Sequence, residues 1–366
     1  MQSIKPQLTE EIDKHIGDLD VWRAPAYEIS NFRDVVEHVA RLAYANRNQL
    51  LFFRGQDKDY LSKAGASTIY PAIYREDNLA HAELQVRFKQ LARAARTLVK
   101  LFEQNKIPGA RDVSRKKYIQ WSVLQHYEVI ATPLLDVTQS LRVACSFAQM
   151  ASVDPTCYVF VLGLPYTTNR ISINSEEDVV NIRLLSICPP SALRPYYQEG
   201  YMAGTPDITS DFDTKTELDF RNRLIAKFAI PRAKRFWNEG FEAIPRTALY
   251  PSGDRVQELC QDLLARIRDE RNLDDMGQLL VEWANLEESL VPRARQITRR
   301  NLSVSDAIRT LTKRGDLSVE VARKMNEVRR IRNVAAHTPG RVEDAEIQRA
   351  LQIIKSLKGQ LPSLDS

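Results

Sequence analysis

Leu50-Leu51-Phe52-Phe53-Arg54-Gly55-Gln56 sets four large apolar side chains in a row and then an arginine and a glycine. A short apolar run of this kind suits a buried β-strand, because both faces of such a strand meet other elements. The cation stands where that strand ends. It either pairs with a neighbouring carboxylate or carbonyl, or holds an anionic ligand through its planar fork of donors. Gly55, without a Cβ, would let backbone and ligand approach closely.

Working outward, residues 31–46 place Phe32, Val35, Val36, Val39, Ala40 and Leu42 largely on one face, which predicts a helix. Residues 78–105 are rich in good helix formers and read as one long helix, with a shorter one over 118–125. A helical stripe through Leu141, Ala144, Cys145 and Ala148 marks another over 140–150. Residues 157–162 and 224–230 read as further strands, and 179–187 as strand or loop. Residues 1–29 read as a polar leader, and the irregular mixture over 30–250 predicts an α+β domain.

Past Pro251-Ser252-Gly253 the pattern is helical only. Residues 256–268 predict one helix, and Leu279, Trp283, Leu286 and Leu290 a second. A third follows the cap candidate Ser303 over 306–311. Val321, Met325, Val328 and Ile331 stripe a fourth over 319–337, and Pro339-Gly340 would stop it. Ile347, Leu351, Ile354, Leu357 and Leu361 mark the last, so 255–366 is expected to be an all-α bundle.

The net charge is +5, from 52 basic and 47 acidic residues, which permits a nucleic-acid or nucleotide partner without demanding one. No apolar run reaches the length of a membrane span, and the N-terminus lacks the pattern of a signal peptide. A cytoplasmic location without membrane contact is therefore expected. Cys145, Cys157, Cys188 and Cys260 are widely spaced, as reduced core thiols would be, and no metal site is expected.

Several separated motifs carry a resemblance. Phe53-Arg54-Gly55 is followed by Tyr70-Pro71, Tyr74-Arg75, Gln125-His126-Tyr127 and Leu134-Leu135-Asp136-Val137-Thr138, with Ala144 and Phe147-Ala148 after them. In this order they resemble the FRG domain, over roughly residues 30–235. The chain departs from that pattern with Glu128 in place of glycine, Pro133 in place of arginine and Val137 in place of tryptophan.

The layout also resembles, more distantly, that of ADP-ribosyltransferases. That resemblance implies an ADP-ribosyltransferase-like fold and NAD as the ligand. Arg54 would bind the NAD phosphates, Asp136-Val137-Thr138 would stand as the triplet supporting the nicotinamide pocket, and Glu199 would hold the ribose. Arg54, Gly55, His126 and Gln198 are the implied NAD contacts. His126 has two readings, a satisfied buried side chain or a catalytic group. Asp136, flanked by apolar residues, needs a partner if it is buried, and Arg54 is one candidate.

In the helical part, Arg332-Asn333 and His337 stand about one and a half turns apart. Residues 269–361 resemble the HEPN superfamily. The resemblance implies a homodimer through the helical domain, in which Arg332, Asn333 and His337 cut RNA without any cofactor. The same residues in HEPN-like dimerisation modules tie helices together, so both readings stay open. The leading expectation is a toxin-like or antiviral defence effector with ribonuclease activity regulated by the FRG part. The alternatives are an NAD-using enzyme with a dimerising helical domain and a non-catalytic binding protein.

Overall fold

A computed structural model describes residues 1–75, 79–206, 214–238, 240–299, 302–337 and 342–358, without the side chains of 270–273. The chain divides into two compact units, Met1–Leu264 and Ala265–Ser366. The division falls inside a helix, later than the turn at Pro251-Ser252-Gly253 suggested.

Among the described residues, eight strands build the first unit: β1 (Tyr27–Glu28), β2 (Leu50–Gln56), β3 (Leu135–Thr138), β4 (Thr156–Leu164), β5 (Ile171–Asn174), β6 (Val179–Arg183), β7 (Gly200–Gly204) and β8 (Leu224–Pro231). They form one sheet in the order β1-β8-β4-β2-β3-β7-β6-β5. Every neighbouring pair is antiparallel except β1 with β8. Phe52, Val159, Val161, Leu162 and Phe228 are fully buried, as interior strands require. β2 runs two residues beyond the expected end, so Arg54 lies within the strand, opposite Phe160 of β4.

The helices of this unit are α1 (Glu10–Ile16), α2 (Phe32–Ala45), α3 (His81–Gln104), α4 (Ala110–Arg115), α5 (Lys117–His126), α6 (Leu141–Ala151), α7 (Leu184–Ile187), α8 (Arg194–Tyr197), α9 (Arg246–Leu249) and the first turns of α10 (Arg255–Thr298). The expected start of α2 has a physical cap. Asn31 accepts a hydrogen bond from the Asp34 amide at the head of α2.

The expected polar leader is instead part of the fold. Ile12 and Ile16 of α1 are buried in the main core, and Met1, Ile4 and Leu8 pack against it. Asn46 ties the segment down, accepting from the Gln7 amide and donating to the Gln7 carbonyl, both at 2.8 Å. The segment's polar composition conceals a helical pair of isoleucines at i and i+4, enough to bury one face of a short helix.

The second unit holds the rest of α10 with α11 (Val304–Arg314), α12 (Val319–His337) and α13 (Asp344–Lys358). Its core is built by Trp283, Leu286, Leu311, Met325, Val328, Ile354 and their neighbours. Ser303 caps α11 by accepting from the Asp306 amide. The two helices expected before residue 298 are one, because no proline or capping pair interrupts residues 269–278. Pro339-Gly340 and Leu361 lie outside the described residues. Among the described residues no helix is long and apolar enough to cross a membrane, and all four cysteines are buried and unpaired.

Candidate functional site

The sheet parts at its centre. β2 pairs with β4 at seven positions from Leu50 to Gln56, but with β3 only where Phe53 faces Thr138. Past that pair the backbone groups of the two strands need other partners. Arg54 supplies one: its Nη1 donates to the Asp136 carbonyl oxygen at 2.7 Å. The guanidinium Nε is buried and has no hydrogen-bond partner among the described residues. Burial pulls the Arg54 pKa down to about 10, against the opposing field of Asp136, so it stays a cation at neutral pH.

This parting opens a cleft of about 220 Å³. Arg54, His126, Asp136, Thr138 and Gln198 all line it. The last two residues of α5 hold the Asp136 carboxylate. Gln125 Nε2 donates to Oδ2 at 2.9 Å, and His126 Nδ1 meets Oδ1 at 3.1 Å. Thr132 in turn donates to Gln125 Oε1 at 2.8 Å, which fixes the amide orientation. Burial works to raise the Asp136 pKa, but the hydrogen bond and charge of His126, then the Arg54 cation and Gln125, hold it below the ordinary carboxylate value.

An ionised carboxylate only accepts, so His126 Nδ1 carries the proton toward Asp136. In the neutral ring Nε2 then bears the lone pair. That nitrogen is buried and without a hydrogen-bond partner among the described residues. His126 is thus buried and, among the described residues, hydrogen-bonded at one nitrogen only.

The other expected site residues divide. Thr138 is a backbone brace, donating to the Gln198 and Glu199 carbonyls at 3.0 and 3.1 Å and accepting from the Ser140 amide. Gln198 lines the cleft and donates to the Leu249 carbonyl at 2.8 Å. Glu199 brings its main chain to the site through Thr138, but its side chain is exposed and does not line the cleft. Its φ of 45° turns the chain there. Gly55 owes its identity to packing. A Cβ there would lie 2.0 Å from the Ala144 carbonyl oxygen of α6, so a helix backbone takes the space expected for a ligand.

Glu128, Arg194 and Tyr250 also line the cleft, and none of them carried an expected role. Arg194 opens α8 and is nearly fully buried, and its guanidinium lies 4.4 Å from the Tyr250 ring centroid and pairs with Glu128. No spacing rule connects residues 66 positions apart.

In the helical unit, Arg332 Nη1 donates to Asn333 Oδ1 at 3.0 Å, and its Nη2 lies 4.0 Å from Glu287 Oε1. Arg332 is half-buried and His337, at the end of α12, is exposed.

Comparison with known proteins bears on the first unit. Residues 49–155 match the FRG domain family. The matched stretch runs from β2 to the loop before β4, and so includes Arg54, Gln125, His126, Asp136 and Thr138. It is narrower than the 30–235 suggested by the motifs, and Gln198 and Arg194 lie beyond it. No curated protein and no solved structure matches the chain.

Proposed function

We propose that the α/β unit binds NAD as a substrate in the FRG cleft and breaks its nicotinamide–ribosyl bond. The convergence of Arg54, His126 and Asp136 on one cavity carries this reading. Arg54 and Asp136 are 82 residues apart and have no local reason to meet. Arg54 offers an unpartnered donor to a diphosphate. The Asp136 carboxylate, held ionised, stabilises positive charge growing on the ribosyl carbon as the C–N bond breaks and its electron pair leaves with nicotinamide. A water or hydroxyl acceptor forms the new C–O bond and gives its proton to His126 Nε2.

Arg54→Ala is expected to slow nicotinamide release by about 10²-fold or more. Chromatography of NAD incubated with the full chain checks this, and an unchanged rate would overturn the reading. Consumption of NAD on expression would arrest growth, which fits a defence effector.

A second reading belongs to the helical unit and rests on an exposed His337 at the end of α12, the helix that also carries the half-buried Arg332. Two such sets facing each other in a homodimer would cut RNA, with His337 moving the proton and Arg332 stabilising charge on phosphorus. Degradation of RNA in excess chelator, lost in His337→Ala, is the expected result. The same variant should leave nicotinamide release unchanged.

A further inference from the structure

Arg194 and Glu128 stand on a wall shared by two cavities. Both residues, with Tyr250, line the cleft already described and also an adjoining cavity of about 410 Å³ that reaches Arg246, Gln257 and Gln261.

The two partners are unequal. Arg194 is fixed from every side. The Asp254 carboxylate accepts from its backbone amide at 2.8 Å, Tyr250 stacks on the guanidinium at 4.4 Å, and the Tyr127 ring lies 5.7 Å away. Its side chain is 7% exposed, and Nε is buried without a hydrogen-bond partner among the described residues. Glu128 is loosely held by comparison. Its side chain is 67% exposed, and its φ of 57° is one that glycine adopts more easily. A planar fork of donors held in a cleft wall, with Nη1 donating to Gln257 Oε1 at 3.4 Å and Nη2 to the exposed Glu128 carboxylate, has the form of an anion site with a resident anion. An exposed carboxylate is easily displaced by a group of higher charge with more acceptor oxygens.

We propose that Arg194 binds a phosphate of the ligand and that Glu128 occupies this place when the ligand is absent. The proposal rests on the nucleotide reading of the cleft and narrows it to ligands carrying a diphosphate. With Arg54 on one side and Arg194 on the other, a diphosphate gains two separate guanidinium partners. The two cavities meet at Arg194, so the nucleoside halves of a dinucleotide can lie on either side of it.

Calorimetry on the full chain with ADP and adenosine as probes tests this. Glu128→Gln removes the competing charge and should tighten ADP binding by about fivefold, with adenosine unchanged. Arg194→Gln should weaken ADP binding by about tenfold or more, again with adenosine unchanged. Unaltered ADP affinity in Glu128→Gln would overturn the proposal. That variant decides the matter alone if Arg194→Gln fails to fold, since Glu128 lies at the surface. Wild-type protein that binds ADP through Arg54, with no response to Glu128→Gln, would sink this proposal and leave the cleft reading intact. Wild-type protein that binds neither probe would sink both.

Discussion

Gly55→Ala is expected to destabilise the α/β unit more than any other single methyl addition there. Its Cβ would fall 2.0 Å from the Ala144 carbonyl oxygen and 2.7 Å from the Ala148 amide nitrogen. Both are backbone atoms of α6, so no side-chain rotation relieves the clash. Helix and strand must separate, and α6 also packs Ala144, Cys145 and Ala148 into the main core. An alanine in extended backbone ordinarily adds up to about 1 kcal/mol of stability by restricting the unfolded chain. Here the overpacking cost outweighs that gain and is put at about 3 kcal/mol or more. For a unit of this size the melting temperature should fall by roughly 10 °C. Gly277→Ala is the control. It lies within α10 with open space around its Cα, and alanine there should be neutral or favourable by up to about 1 kcal/mol. Equal melting curves for Gly55→Ala and wild type would show that α6 does not lie against β2 as described.

The contrast between these two glycines shows where sequence reading reaches its limit. The apolar run before Arg54 was legible because burial on both faces needs no partner to be named. The helical stripes around Trp283 and Met325 were legible for the same reason. The use of Gly55 was not, because its neighbour is 89 residues further along the chain in another element. β7 escaped notice because Gly200-Tyr201-Met202-Ala203-Gly204 has small residues and no alternation. It is nonetheless buried throughout, between β3 and β6. Asp136 was recognised as needing a partner, and its apolar flanks showed why. That the partners are Gln125 and His126 at the end of α5, with Arg54 taking its carbonyl, depends on where β2 and β3 part. Glu199 shows the converse. Its main chain meets Thr138 at the cleft, while its side chain is exposed.

Asp136→Asn is expected to have the largest effect on chemistry with the least effect on shape. The carboxylate accepts from His126 at Oδ1 and from Gln125 at Oδ2. Asparagine keeps the volume but replaces one acceptor oxygen with a donor, so one of those two contacts is lost or reversed. Turned to accept from Gln125, it presents its NH₂ to His126 Nδ1, and the ring proton moves to Nε2. Under the proposed NAD chemistry, the nitrogen that takes the proton then ceases to be an acceptor, and the negative charge beside the ribosyl carbon is gone as well. Nicotinamide release should therefore fall by about 10³-fold. An imidazole nitrogen NMR spectrum should show His126 changing tautomer, which checks the hydrogen bond, while the rate of nicotinamide release checks the chemistry. The pH dependence has a definite sign. The folded-state pKa of Asp136 is lowered, so ionisation favours the native state above the unfolded value of about 3.9, and that contribution is lost as the pH falls through the folded value. Wild type should be more stable than Asp136→Asn at neutral pH, and the gap should narrow only below the ordinary carboxylate range. A variant that releases nicotinamide at the wild-type rate, or a stability gap unchanged down to the lowest pH at which both proteins fold, would remove Asp136 from the centre of the site.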